Sequence, residues 1–241
     1  ELCYAVSDYP DRDFTFGGTL VDQGDLFLNG NEEESKALNY LGNTHGGMLN
    51  IGEAWYIFYH RQTNQHSYSR QACAERLEHP APGVFKQAEV TSCGLNGGPL
   101  SGTGRYEARI ACNLWSKNGV ARYDKKFDKK AHPYFTQTGK DRMENGDQYI
   151  ANMRDGAVAG FKYFGFGGEK RISLTISGVC SGTVEVSHTP DFKAVIARIP
   201  VSAKAEQESA EGAFAPQKGT QPLYFRYTGE GAMNFHTFEM K

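Results

Sequence analysis

Three short clusters in the 241-residue chain combine side chains that can do chemistry. Asn43-Thr44-His45-Gly46-Gly47 sets an amide, a hydroxyl and an imidazole directly ahead of two glycines, where a bare backbone lets another group come close. His45 can donate or accept a hydrogen bond or ligate a metal, and it can equally serve as a hydrogen-bonded structural histidine. Trp55-Tyr56-Ile57-Phe58-Tyr59-His60-Arg61 is too apolar for an exposed strand. As structure it reads as a buried central strand, with Trp55, Ile57 and Phe58 in the core and two polar residues at its end. As a site, its rings could stack on the apolar C–H faces of sugars. Ser69-Arg70-Gln71, followed by Ala72-Cys73-Ala74-Glu75, sets an arginine in a strand of small residues. Such an arginine calls for a carboxylate partner or a polar pocket.

Other chemistries find less support. Glycoside cleavage by paired carboxyl groups needs two acids about 5–9.5 Å apart. Asp8, Asp11, Asp13, Asp22, Asp25, Glu53 and Glu75 are available, and none has a context that lifts it above a turn or surface acid. The chain has no G-x-S-x-G elbow and no G-x-x-x-x-G-K phosphate loop. Its five cysteines, Cys3, Cys73, Cys93, Cys112 and Cys180, include no C-x-x-C pair, which argues against a zinc site. An odd count also leaves one thiol outside any disulfide framework, and free buried thiols are the expectation. The run Lys125-Lys126-Phe127-Asp128-Lys129-Lys130 could bind phosphate; its interleaved acid and lack of arginine favour a solvated loop.

The elements that must position these clusters are short strands. Leu2 to Ser7 and Phe14 to Val21 flank a turn at Asp8-Tyr9-Pro10-Asp11. Gly46 to Ile51 and Trp55 to His60 read as a hairpin around Gly52-Glu53. Tyr68 to Arg76 and Phe85 to Thr91 read as a further pair. The acidic run Glu32-Glu33-Glu34 reads as a solvated loop. The Gly-rich stretch 94–104 reads as a linker or long loop, with Tyr106 to Leu114 strand-like after it. From about His132 onward, strand candidates recur between Gly, Pro and Asp turns: Gly160 to Phe166, Arg171 to Ile176, Gly182 to Ser187, Ala194 to Ile199, Gln221 to Tyr227 and Asn234 to Phe238. Such a run argues for a β-sandwich. Residues 203–213 are helix-prone locally, and between strands they read as a surface loop.

Composition bounds the answer. Hydrophobic residues make up 39% and charged residues 22%, values of a globular chain that rule out disorder and collagen-like repeats. With 26 Lys+Arg against 28 Asp+Glu there is no basic footprint for nucleic acid. No apolar run reaches the roughly 18 residues a membrane helix needs.

The order of Cys3-Tyr4-Ala5-Val6-Ser7-Asp8, Phe14 to Gly18, Asn43-Thr44-His45-Gly46, Trp55 to Arg61 and Ser69 to Glu75 resembles the later part of a glycoside hydrolase family 43 domain. The family cleaves α-L-arabinofuranosyl or β-D-xylosyl linkages of plant polysaccharides such as arabinoxylan, by inverting acid/base hydrolysis. Residues Gly160 to Lys241 are similar to an accessory β-sandwich of the carbohydrate-binding module family 6 type. The resemblance implies an all-β chain: residues 1–93 as the last blades of a five-bladed β-propeller, 94–130 as connector, and 131–241 as a jelly-roll-like sandwich. A blade takes about 40–50 residues, so residues 1–93 supply about two. The family's three catalytic acids are then expected to precede Glu1, and this chain to hold no catalytic residue of its own. The rival view is that Asp8 or Glu75 supplies the acid within this chain. By the same resemblance His45 matches an axial histidine near a bound cation, often calcium. Asn43 and Arg70 match pocket-lining positions. The implied partners are a plant polysaccharide or oligosaccharide and the missing propeller portion or another chain, with no nucleic acid and no membrane. The competing readings are a non-catalytic carbohydrate-binding protein and a pure interaction domain.

Overall fold

The computed structural model describes residues 1–66, 68–122, 130–139 and 146–241. Most of the lysine-rich run, Lys125 to Lys129, lies outside the described residues. The described chain is all-β, with fourteen strands and three single-turn 3-10 segments.

Strands β1 (Leu2–Val6) and β2 (Thr15–Val21) form an antiparallel hairpin across the expected turn. A three-stranded antiparallel meander follows: β3 (Gly46–Ile51), β4 (Ala54–Gln62) and β5 (Arg70–Leu77), with β4 in the middle. Alternation along β4 sends Ile57, Tyr59 and Arg61 inward, with Trp55 half-buried behind them. Ile57 and Tyr59 pack with Leu20, Val21, Leu77, Ala88, Val90 and Cys112. Phe58, expected in this core, falls on the opposite face with Tyr56 and His60 and is half-buried, because side chains one residue apart in a strand cannot share a face.

Residues 85–91 do not form a strand beside β5. They make one isolated bridge, Val21 to Ala88; Lys86 N–H donates to the Glu78 carbonyl oxygen, and Val90 and Thr91 N–H turn to side chains described below. The acidic loop contains a single 3-10 turn, Glu34–Lys36. Residues 94–130 are more than a connector: β6 (Leu100–Ser101), β7 (Gly104–Glu107) and β8 (Asn113–Trp115) all pair into the following sheet.

That sheet is completed by β9 (Tyr134–Gln137), β10 (Gln148–Met153), β11 (Val158–Phe166), β12 (Arg171–Ser187), β13 (Val195–Ala213) and β14 (Gly219–Met240). The short strands expected after residue 170 are fused into these three long antiparallel ones, order β13-β12-β14. Residues 203–213 are strand, not loop, because the β12 ladder satisfies their backbone from Ala203 to Ala213. Left-handed residues bend the long strands near their middles. At Gly231 (φ 80°) a Cβ would collide with the Val179 carbonyl oxygen. The bends curl the sheet around one core, in which Phe161 meets Phe238 edge-to-face at 4.8 Å. The fold is therefore the expected one, incomplete propeller blades followed by a β-sandwich.

Candidate functional site

Strand alternation also builds the candidate site. His60 and Gln62 share the face of β4 turned away from the core, and Arg70 lies directly opposite Gln62 on β5. The segment before β3 folds onto the same face. Asn43 N–H donates to Gln62 Oε1 at 3.2 Å, and Asn43 Oδ1 lies 3.4 Å from His60 Nε2. His45 N–H donates to His60 Nδ1 at 3.2 Å, and the two imidazole rings stand 5.3 Å apart. Thr44 Oγ1 and Gln23 Nε2 both donate to the His60 carbonyl oxygen, at 2.8 and 2.6 Å. Burial, with the Arg70 charge and then His45, lowers the His60 pKa, so that ring is neutral at pH 7.

The structure thus brings the three sequence candidates together. Asn43, His45 and Arg70 are all exposed, and all gather around His60 and Gln62. Sequence reasoning noted His60 only as the polar end of an apolar strand. Its place as the shared neighbour depends on the backbone of residues 43–45 folding back, which no local pattern signals. These groups can donate to and accept from the hydroxyls of a sugar.

They do not make a calcium site by themselves. Calcium takes six to eight oxygen ligands. The cluster offers two imidazoles, the amide oxygens of Asn43 and Gln62, the Thr44 hydroxyl and the guanidinium of Arg70, with no carboxylate among them. Among the described residues no group of three or more His, Cys, Asp or Glu is placed to hold a metal ion.

The two acids that could act within this chain are placed differently. Asp8 is exposed in the β1–β2 turn. Glu75 is buried on the inner face of β5, beside a cleft of about 330 Å³ bordered by Tyr59, Thr91, Leu95 and Arg109. Its Oε1 accepts from Thr91 N–H at 2.8 Å and from the Tyr59 hydroxyl at 3.3 Å, and its Oε2 accepts from Thr91 Oγ1 at 2.6 Å. Burial pushes its pKa up to about 7 against the pull of these hydrogen bonds.

Glu75 belongs to a joint between blade and sandwich that no sequence motif announces. Lys162 of β11, 3% exposed, sends Nζ to Asp25 Oδ2 and Glu89 Oε1, both at 2.8 Å. The Tyr163 hydroxyl donates to Glu89 Oε2, and Val90 N–H donates to Asp25 Oδ1. Ser92 N–H donates to the Lys162 carbonyl oxygen. Nearby, the buried Arg61 guanidinium donates to the Ala111 and Arg109 carbonyl oxygens and lies 3.5 Å over the Phe135 ring. All five cysteines are free thiols. Cys112 and Cys180 are buried as expected, whereas Cys3 is exposed.

No family model matches the chain. A xylosidase/arabinosidase from Thermoclostridium stercorarium is 38% identical over 242 residues, covering all of this chain and 51% of that protein. The chain thus spans about half the length of the curated relative it matches. Among solved structures, a glycoside hydrolase family 43 arabinoxylan arabinofuranohydrolase from Bacillus subtilis superposes on 99% of the chain and 47% of its own, with a TM-score of 0.55 and 18% identity. The module CsCBM6-3 from Clostridium stercorarium, solved with cellobiose, superposes on 60% of the chain and 98% of its own, with a TM-score of 0.47 and 13% identity. The curled sheet described above rests on its own strand pairing and not on that last likeness. The chain is a homologue of the xylosidase/arabinosidase along its whole length and carries the fold of the matching part of a glycoside hydrolase family 43 protein.

Proposed function

We propose that the chain is the C-terminal part of a glycoside hydrolase that removes arabinofuranosyl or xylosyl units from plant cell-wall polysaccharides such as arabinoxylan. The observation that carries this reading is the gathering of Asn43, His45 and Arg70 on one exposed face, in a chain 38% identical to a xylosidase/arabinosidase. Arg70 and Asn43 hydrogen-bond sugar hydroxyls, and His45 lines the same pocket. Cleavage with inversion needs one carboxylic acid to protonate the leaving oxygen and a carboxylate to activate water on the opposite face. Asp8 lies in an exposed turn and Glu75 has both oxygens engaged, which supports the reading that these acids come from parts of the whole protein outside these residues.

Exposed apolar side chains on β2, on β3 and just before β2 support a covering partner from the same protein. Phe16 is 70% exposed and Phe14 60%, with Leu49 and Ile51 about half exposed. Water-facing apolar surface of this kind marks an interaction face. The test compares this chain with a longer product carrying the preceding half, using chromogenic α-L-arabinofuranoside and β-D-xyloside. Turnover by the longer product alone supports the reading. Turnover by the short chain that vanishes in Glu75→Gln or Asp8→Asn overturns it.

A further inference from the structure

We propose that His60 is the positioning residue of this site: a neutral imidazole with its proton on Nε2 that fixes the backbone of His45 and the side chain of Asn43 in one arrangement. The inference rests on the reading that Asn43 and His45 line a sugar pocket, and its first test does not depend on that reading.

The assignment follows from donor and acceptor roles. A backbone N–H can only donate, so the 3.2 Å contact from His45 N–H makes His60 Nδ1 an acceptor without a proton. A neutral imidazole then carries its proton on Nε2, and that N–H faces Asn43 Oδ1 at 3.4 Å. One ring therefore holds a main-chain group on one side and a side-chain amide on the other. The main chain that carries the ring is itself anchored, because the His60 carbonyl oxygen accepts from Thr44 Oγ1 and Gln23 Nε2. Gln62, two residues on along the same face, adds a second hold on the Asn43 backbone. The segment 43–45 has no ladder of its own before Gly46, where β3 begins. Without His60 the segment keeps only the Thr44 and Gln62 contacts, and Asn43 and His45 lose their common reference. A misplacement of about 1 Å in a positioning group costs up to about a hundredfold in rate.

Long-range nitrogen NMR of the chain at pH 7 should show the His60 Nδ1 resonance at an unprotonated position and Nε2 at a protonated one. The reverse pattern overturns the proposal whatever the enzyme does. Amide exchange at His45 should quicken about tenfold or more in His60→Ala. It should return toward the wild-type rate in His60→Gln, whose amide can accept from His45 and donate to Asn43. In the longer active product, His60→Ala should lower kcat/KM at least about tenfold. His60→Gln should recover most of the loss, and both variants should melt within a few degrees of wild type. Unchanged kcat/KM in His60→Ala, or no recovery in a folded His60→Gln, overturns the positioning role. If the longer product cleaves no glycoside while the tautomer and exchange results hold, the functional reading fails and the positioning of 43–45 stands.

Discussion

Two polar regions of this molecule are built in opposite ways. Around His60 the side chains are neutral or cationic and exposed or half-exposed; the contacts among them run at 3.2–3.4 Å, over a main chain anchored at the His60 carbonyl oxygen by bonds of 2.6 and 2.8 Å. Around Lys162 the side chains are buried or half-buried and closed upon one another by contacts of 2.7–2.8 Å, with Asp25 and Glu89 sharing one ammonium, while Glu75 beside them is held by Thr91 and Tyr59. The first can still exchange its contacts for those of a sugar; the second has little left to offer. On the proposed reading the charged cluster serves the fold and the cluster around His60 serves the ligand. Altering the joint should cost stability and leave the pocket groups chemically intact. Altering the pocket should cost function and leave stability intact.

The largest effect is expected at Lys162. Lys162→Met removes the cation that Asp25 and Glu89 share and strands both, so unfolding in urea should show a loss of about 3–5 kcal/mol. Adding Asp25→Asn to that variant should restore part of it. A loss under about 1 kcal/mol would make the joint no more than a surface ion pair.

Glu75 comes next. Its folded pKa of about 7 lies above the ordinary carboxylate value, so protonation favours the folded state. Its contribution is fully present below about pH 4.5 and is lost as the pH rises through about 7, an amount on the order of 3 kcal/mol. Glu75→Gln should flatten the stability profile across that window and leave the chain less sensitive to pH at neutrality. A variant whose profile still falls between pH 4.5 and 7 would assign the effect elsewhere. Tyr59→Phe removes one hydrogen bond to the same carboxyl and should cost about 1 kcal/mol.

The smallest stability effect is expected in the pocket. Arg70→Ala and His45→Ala alter exposed side chains and should shift unfolding by less than about 0.5 kcal/mol. A large loss at either would mean the open cluster is structural after all.

The contrast also explains what the sequence could reveal. β1 to β5 were legible because alternation and turn residues are local signals, and the family resemblance pointed to Asn43, His45 and Arg70. Residues 203–213 were not, because local helix propensity yields to the β12 ladder that surrounds them. Residues 85–91 misled for the converse reason. Their apolar alternation suggests a strand, but Glu89, Val90 and Thr91 are held by Lys162, Asp25 and Glu75. The joint was invisible because Lys162 and Asp25 are 137 residues apart. No spacing rule reaches that far.

The central claim is that the exposed face around His60 binds the sugar that a longer protein cleaves. The most direct measurement is kcat/KM of that longer product on chromogenic arabinofuranoside and xyloside, for wild type and Arg70→Ala, with folding checked by melting. The account predicts turnover by wild type and a fall of about a hundredfold or more in Arg70→Ala at unchanged melting temperature. A folded Arg70→Ala variant with wild-type kcat/KM on both substrates would contradict it.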